Sequence, residues 1–271
     1  MAKPSYNVKD LYSVFNKIDG YFYEKKDRSE YAGKEITRYC PYHKDEQGYG
    51  MCFTYLQMAR SGVINLLENL EKYNLEYDKL AEYAILFLSY KLKQHSQYKW
   101  INLNNFYTSH IKNNNDYNKK IKDTGPTYKD IIYKKKDLMD IKEISKFNES
   151  FSILCKLYNG INKNNLDCTK CPNCLQNFAN KFEELNNDSN INGSTSYSKL
   201  LSTLSDDYNH LKNNYGNNNS CNFPPLPKVK TPPSKLIPAL STFSVIPVFL
   251  GIAYKTIFKK KIKKSKEEIE T

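Results

Sequence analysis

The chain has 271 residues, with 41 Lys or Arg against 29 Asp or Glu, and a formal net charge of +12. A basic chain with 23 tyrosines invites a nucleic-acid reading. However, Arg28, Arg38 and Arg60 are its only arginines, and base and phosphate readout relies on arginine, so no nucleic-acid partner is expected.

No apolar run of seven occurs in residues 1–20, so no cleavable signal peptide is expected. Val8, Leu11, Tyr12, Phe15, Ile18 and Phe22 recur at helical spacing and predict a first amphipathic helix. Residues 24–50 are polar and turn-rich. A second helix is predicted from Cys52, Leu56, Ala59, Val63, Leu66 and Leu70. A third, apolar enough to be central, runs through Tyr77, Leu80, Ala84, Phe87, Leu88 and Leu92. Trp100, Phe106, Tyr107, His110 and Ile111 suggest a further helix that ends in the run Asn113–Asn115. After a break at Gly125-Pro126, Ile131, Ile132, Leu138 and Met139 are short and ambiguous. Ile144, Phe147, Phe151, Leu154 and Tyr158 predict a long helix, Leu175 to Leu185 another, and Tyr197 to Leu211 the last. No stretch alternates with period two for long enough to predict a strand. The fold class expected is all-α, with seven or eight helices.

Residues 213–235 are rich in Asn and Pro and are expected to form an extended stalk. Leu236–Tyr254 then carries nineteen residues without a charge. As a helix it would be roughly 28 Å long, close to the ~30 Å hydrocarbon core of a bilayer. Lys235 flanks it on one side, Tyr254 and Lys255 on the other, and residues 236–258 are expected to cross the membrane once. Seven lysines follow the segment and three precede it nearby, which predicts a cytoplasmic tail 259–271 and an outward-facing ectodomain 1–212. A single span near the C-terminus also describes a tail anchor, with the helical domain in the cytosol.

The cysteines bear on that choice. Cys40, Cys52, Cys155, Cys168, Cys171, Cys174 and Cys221 are all disulfide candidates. Structural zinc asks for four ligands, usually as two spaced pairs, and neither Cys40-x-x-His43 nor the Cys168–Cys174 triple supplies them, so no metal is expected. Cys40 and Cys52 bracket a Gly-rich loop and are expected to close it. At least one bond is expected between Cys155 or Cys221 and the Cys168–Cys174 group, with Cys155 placed to clip two helices together. Disulfides persist outside the cytosol, so these bonds favour the outward placement. His43, His95, His110 and His210 are scattered, and no phosphate loop, H-E-x-x-H or G-x-S-x-G occurs. No catalytic residue, cofactor or enzymatic activity is expected.

An ordered series of short blocks runs along the chain: Tyr39-Cys40-Pro41, Leu88-Ser89-Tyr90-Lys91-Leu92, Ile144-Ser145-Lys146-Phe147, Leu154-Cys155-Lys156 and Asp167-Cys168-Thr169-Lys170-Cys171. It continues with Ser202-Thr203-Leu204-Ser205-Asp206-Asp207-Tyr208 and Ser234-Lys235-Leu236-Ile237-Pro238, and closes on Ile246-Pro247-Val248-Phe249-Leu250-Gly251. Together they closely resemble the Plasmodium interspersed repeat (PIR) family, in particular its rodent-malaria Cir/Yir/Bir variant antigens. The resemblance implies a variant antigen exported to the infected red cell or displayed on the parasite, with a helical, disulfide-bearing ectodomain, roles in immune evasion, and a host surface protein or glycan as partner. The stalk here lacks the family's long Ser-rich insert. The alternative reading is a parasite-internal membrane tethering or trafficking protein.

Overall fold

The computed structural model describes residues 6–139, 142–162, 165–216 and 221–233. The chain divides into two units, Met1–Pro232 and Pro233–Thr271. Of the second, Pro233 alone is among the described residues, so the expected spanning segment 236–258, its flanking Lys235, Tyr254 and Lys255, and the basic tail lie outside them. Among the described residues, no helix is long and apolar enough to cross a membrane.

The first unit is helical. Its elements in chain order are α1 (Val8–Asp19), β1 (Phe22–Glu24), β2 (Glu30–Ala32), α2 (Lys34–Thr37), α3 (Tyr55–Glu71), α4 (Tyr77–Gln94), α5 (Leu103–Phe106), α6 (Tyr128–Tyr133), α7 (Phe147–Asn159), β3 (Ile161–Asn162), β4 (Asn165–Leu166), α8 (Cys174–Asn187), α9 (Ser189–Asn192) and α10 (Thr195–Tyr215). The long members match the predicted apolar stripes closely. The starts are set by side chains that accept orphan backbone N–H groups: Asn7 for α1, Thr54 for α3, the Thr127/Asp130 capping box for α6 and Ser194 for α10. The count rises to ten helices among the described residues because α2, α5 and α9 are single turns too short for periodicity to reveal.

Two expectations are corrected. First, strands exist: β1 pairs with β2 and β3 with β4, each as an antiparallel ribbon of two or three residues a side. Runs this short never show an alternating pattern. Gly62 lets the first ribbon approach α3, since a Cβ there would lie 2.7 Å from the Phe22 ring. Second, the described residues of the expected stalk, 213–216 and 221–232, do not stand free of the helical domain. Residues up to Tyr215 complete α10. Phe223, Leu226 and Val229 then pack against the core, and Tyr208 donates to the Pro224 carbonyl at 3.0 Å. Asn186 clasps the strap from both sides, donating to the Lys228 carbonyl at 2.9 Å and accepting from the Lys230 N–H at 2.8 Å. The domain therefore extends to Pro232.

One core runs through the unit. The principal packings join α3 to α4, α1 to α7, and α7 to α8. At its centre Tyr12 stacks on Tyr158 with ring centres 4.3 Å apart, and Phe15 meets Phe151 edge to face at 5.1 Å.

Candidate functional site

Six of the seven cysteines are paired. Cys40–Cys52 closes the loop before α3, with Cα atoms 4.8 Å apart. Cys168–Cys221 ties the turn before α8 to the C-terminal strap across 53 residues, and Cys171–Cys174 pairs within that turn. Cys155 stays a free thiol. The clip expected from it is not made, because it sits on the buried side of α7 between Phe151 and Tyr158 rather than at the turn. Burial pushes its thiol well above the ordinary cysteine range, so it is an inert core residue rather than a nucleophile.

The polar groups inside the fold are structural. Asp207, on α10, is fully buried and accepts from the hydroxyls of Tyr12 and Tyr83, both at 2.9 Å. Tyr158 donates to the backbone carbonyl of the same residue at 2.6 Å. Desolvation pushes the Asp207 carboxyl up to about 6, with Lys79 and the two tyrosine donors opposing. Lys91 on α4 is likewise buried, bonded to Asp19 at 2.7 Å and to the Phe22 carbonyl at 2.7 Å. Burial lowers its pKa, with Asp19 opposing. The four histidines stay apart. His95 is buried against Glu30, and burial of His110 on the Tyr107–Ile111 turn lowers its pKa. Among the described residues, no group of His, Cys, Asp and Glu is placed to hold a metal ion.

The outside of the domain carries the features that a partner would meet. Around the Cys40–Cys52 bond, Tyr42 and Phe53 stack at 4.6 Å, and the edge of His43 faces Phe53. A two-way backbone bridge between Tyr42 and Met51 closes the same loop. Phe53 is 58% exposed and Met51 53%. Gly50 makes the closure possible, because a Cβ there would collide with the Cys40 carbonyl oxygen. On the first ribbon Tyr23 and Tyr31 lie directly opposite each other, ring centres 5.0 Å apart and both partly exposed.

A second exposed feature was not legible beforehand. Trp100, placed by spacing at the start of a helix, stands instead in the turn between α4 and α5 and is 77% exposed. It borders a cleft of about 370 Å³ between the end of α4 and the 3-10 turn Lys142–Lys146. An adjoining depression of about 350 Å³ shares Lys93, Ser145 and Asn148 with it.

These features sit on a scaffold with known relatives. A solved Plasmodium PIR protein ectodomain is 31% identical, superposes with a TM-score of 0.61, and covers 83% of this chain and 99% of its own. No curated protein matches the chain. The family model for the Plasmodium variant antigen protein Cir/Yir/Bir matches residues 12–255. With an aligned span that takes in nearly every element described above, the chain belongs to the Plasmodium Cir/Yir/Bir variant antigen family.

Proposed function

We propose that the chain is a membrane-anchored surface antigen, displayed outward from the infected red cell or the parasite, where it meets host molecules and turns over its exposed surface under immune pressure. The observation that carries this reading is the pairing of six cysteines. Such bonds form and persist in oxidising surroundings, and a domain held in the cytosol would lose them. The uncharged stretch 236–254 and the lysines after it support a single span with the tail inside. The architecture suits antigenic change. The Tyr42, Met51 and Phe53 cluster is held by a covalent bond and a backbone bridge, so its side chains can vary without the core giving way. The reading assigns the domain a binding role and no catalytic one.

Protease access tests it. With a tag at Thr271, trypsin added to intact infected cells should remove the domain before residue 235 and leave the tag protected. Protection of both the domain and the tag, with the domain cleaved only after the cell membranes are opened, would return the protein to the cytosolic, tethering alternative.

A further inference from the structure

The Trp100 cleft combines four properties. Lys93, Lys99 and Lys142 line it, all three are exposed, and none makes an ion pair with a described residue. Among the described residues, no Asp or Glu belongs to its lining. The ammonium groups of Lys93 and Lys99 lie 4.6 and 5.5 Å from the Trp100 ring centre, so two positive charges are gathered against the indole ring. Finally, the cleft carries neutral hydrogen-bonding groups. Ser145 borders it, and so does Asn148, which is 6% exposed. The Asn148 amide donates to the Ser89 carbonyl at 3.3 Å, while its oxygen has no partner among the described residues.

Each property has a cost that packing does not explain. Like charges brought together repel, a large exposed indole leaves apolar area in water, and an unpartnered buried amide oxygen loses a hydrogen bond. A single class of ligand would answer the first two. It needs an anionic group for the lysines, an apolar C–H face for the indole, and a hydroxyl for Ser145. We propose that this cleft binds an acidic sugar, a hexose or nonulose ring carrying a carboxylate or sulfate, with the ring laid on Trp100 and the anion between the lysines. The cleft's volume lies within the ordinary range of small-ligand sites. An acidic peptide would use the lysines and leave the flat indole ring unanswered. The biological use of such a site rests on the outward placement proposed above, whereas the binding itself does not, so the two can fail separately.

Trp100 is the only tryptophan in the chain, so its emission reports on the cleft directly. The full chain is placed in phosphatidylcholine nanodiscs and titrated with sialyllactose, lactose sulfate, lactose and inorganic sulfate. A saturable change in emission is expected with one or both acidic sugars, and weak or no response with lactose or sulfate alone. The acid that binds better identifies carboxylate or sulfate as the natural anion. By calorimetry, Lys93→Gln and Lys142→Gln should each weaken binding about tenfold, the loss of one charge-assisted hydrogen bond. Trp100→Ala should abolish binding, Trp100→Phe should keep most of it, and Lys261→Gln in the tail should change nothing. The exposure of Trp100 makes a folding defect in its variants readily excluded by an unchanged melting curve. An equal response to inorganic sulfate, equal binding of a pentaglutamate peptide, or affinity unaffected by Lys93→Gln would overturn the proposal. So would the absence of saturable binding by either acidic sugar.

Discussion

Replacing Asp207 with Asn should change how the domain's stability depends on pH. In the fold this carboxyl is fully buried and holds its proton up to about pH 6, against an ordinary value of 3.8. A group whose folded pKa is raised binds more protons folded than unfolded, so stability falls as pH rises through the interval between the two values. A shift of about 2 units corresponds to about 3 kcal/mol, lost progressively between pH 4 and 6 and fully absent at pH 7. Asp207→Asn keeps an oxygen acceptor for the Tyr12 and Tyr83 hydroxyls and removes the titration. The extra amide donor adds a constant cost that does not vary with pH. Urea unfolding of residues 1–232, followed by far-ultraviolet circular dichroism at pH 4, 5, 6 and 7 and fixed ionic strength, measures the difference. The gap between variant and wild type should move in the variant's favour by about 3 kcal/mol across that range. Curves that run parallel from pH 4 to 7 would refute a buried, proton-holding Asp207.

Non-reducing peptide mapping of the same fragment should return the pairs Cys40–Cys52, Cys168–Cys221 and Cys171–Cys174, and alkylation under denaturing conditions should label Cys155 alone. Replacing both members of a pair by Ser should cost about 3 kcal/mol for Cys40–Cys52 and about 4 kcal/mol for Cys168–Cys221, the longer loop losing more, as denaturant midpoints will show. Lys91→Ala strands the Asp19 carboxylate and the Phe22 carbonyl and should cost about 3 kcal/mol in the same assay, whereas Lys93→Ala, two residues further along α4 and exposed, should stay within about 0.5 kcal/mol. Exchanging the tail lysines 259–266 for Gln should produce mixed membrane orientation in a protease-protection assay. A single unchanged orientation would assign topology to another part of the chain.

The helical faces were legible in the sequence because apolar residues repeat wherever a long helix meets the core, as on α3, α4 and α7. The short ribbons were not, since three residues a side carry no period. The strap carries a signal of its own. Phe223, Leu226 and Val229 recur every third residue among prolines, and three residues per turn is the period of polyproline II, so one apolar edge faces the domain. The proline content spoke for extension and said nothing of contact. Asp207 was also within reach. It falls three residues after Leu204 and four before Leu211, on the face of α10 that the stripe had already assigned to the interior. A carboxylate in that position announces a partner, and the tyrosines of α1 and α4 supply it. The Trp100 cleft had no such cue, because its residues come from the end of α4, the turn after it, the 3-10 segment Lys142–Lys146 and the start of α7, brought together by tertiary packing.

The Cys168–Cys221 bond has a mechanical meaning. Tension drawn through the chain beyond Pro232 first meets the Asn186 clasp and then the sulfur bridge. From Cys221 the load crosses directly to Cys168, and everything strung between them, α8, α9 and α10 included, is bypassed like a slack coil beside a taut cord. The last helix therefore cannot be peeled off by a pull on the end that follows it. The force arrives instead at the turn beside β4 and the end of α7, in the middle of the fold, where unravelling requires many contacts to give way at once.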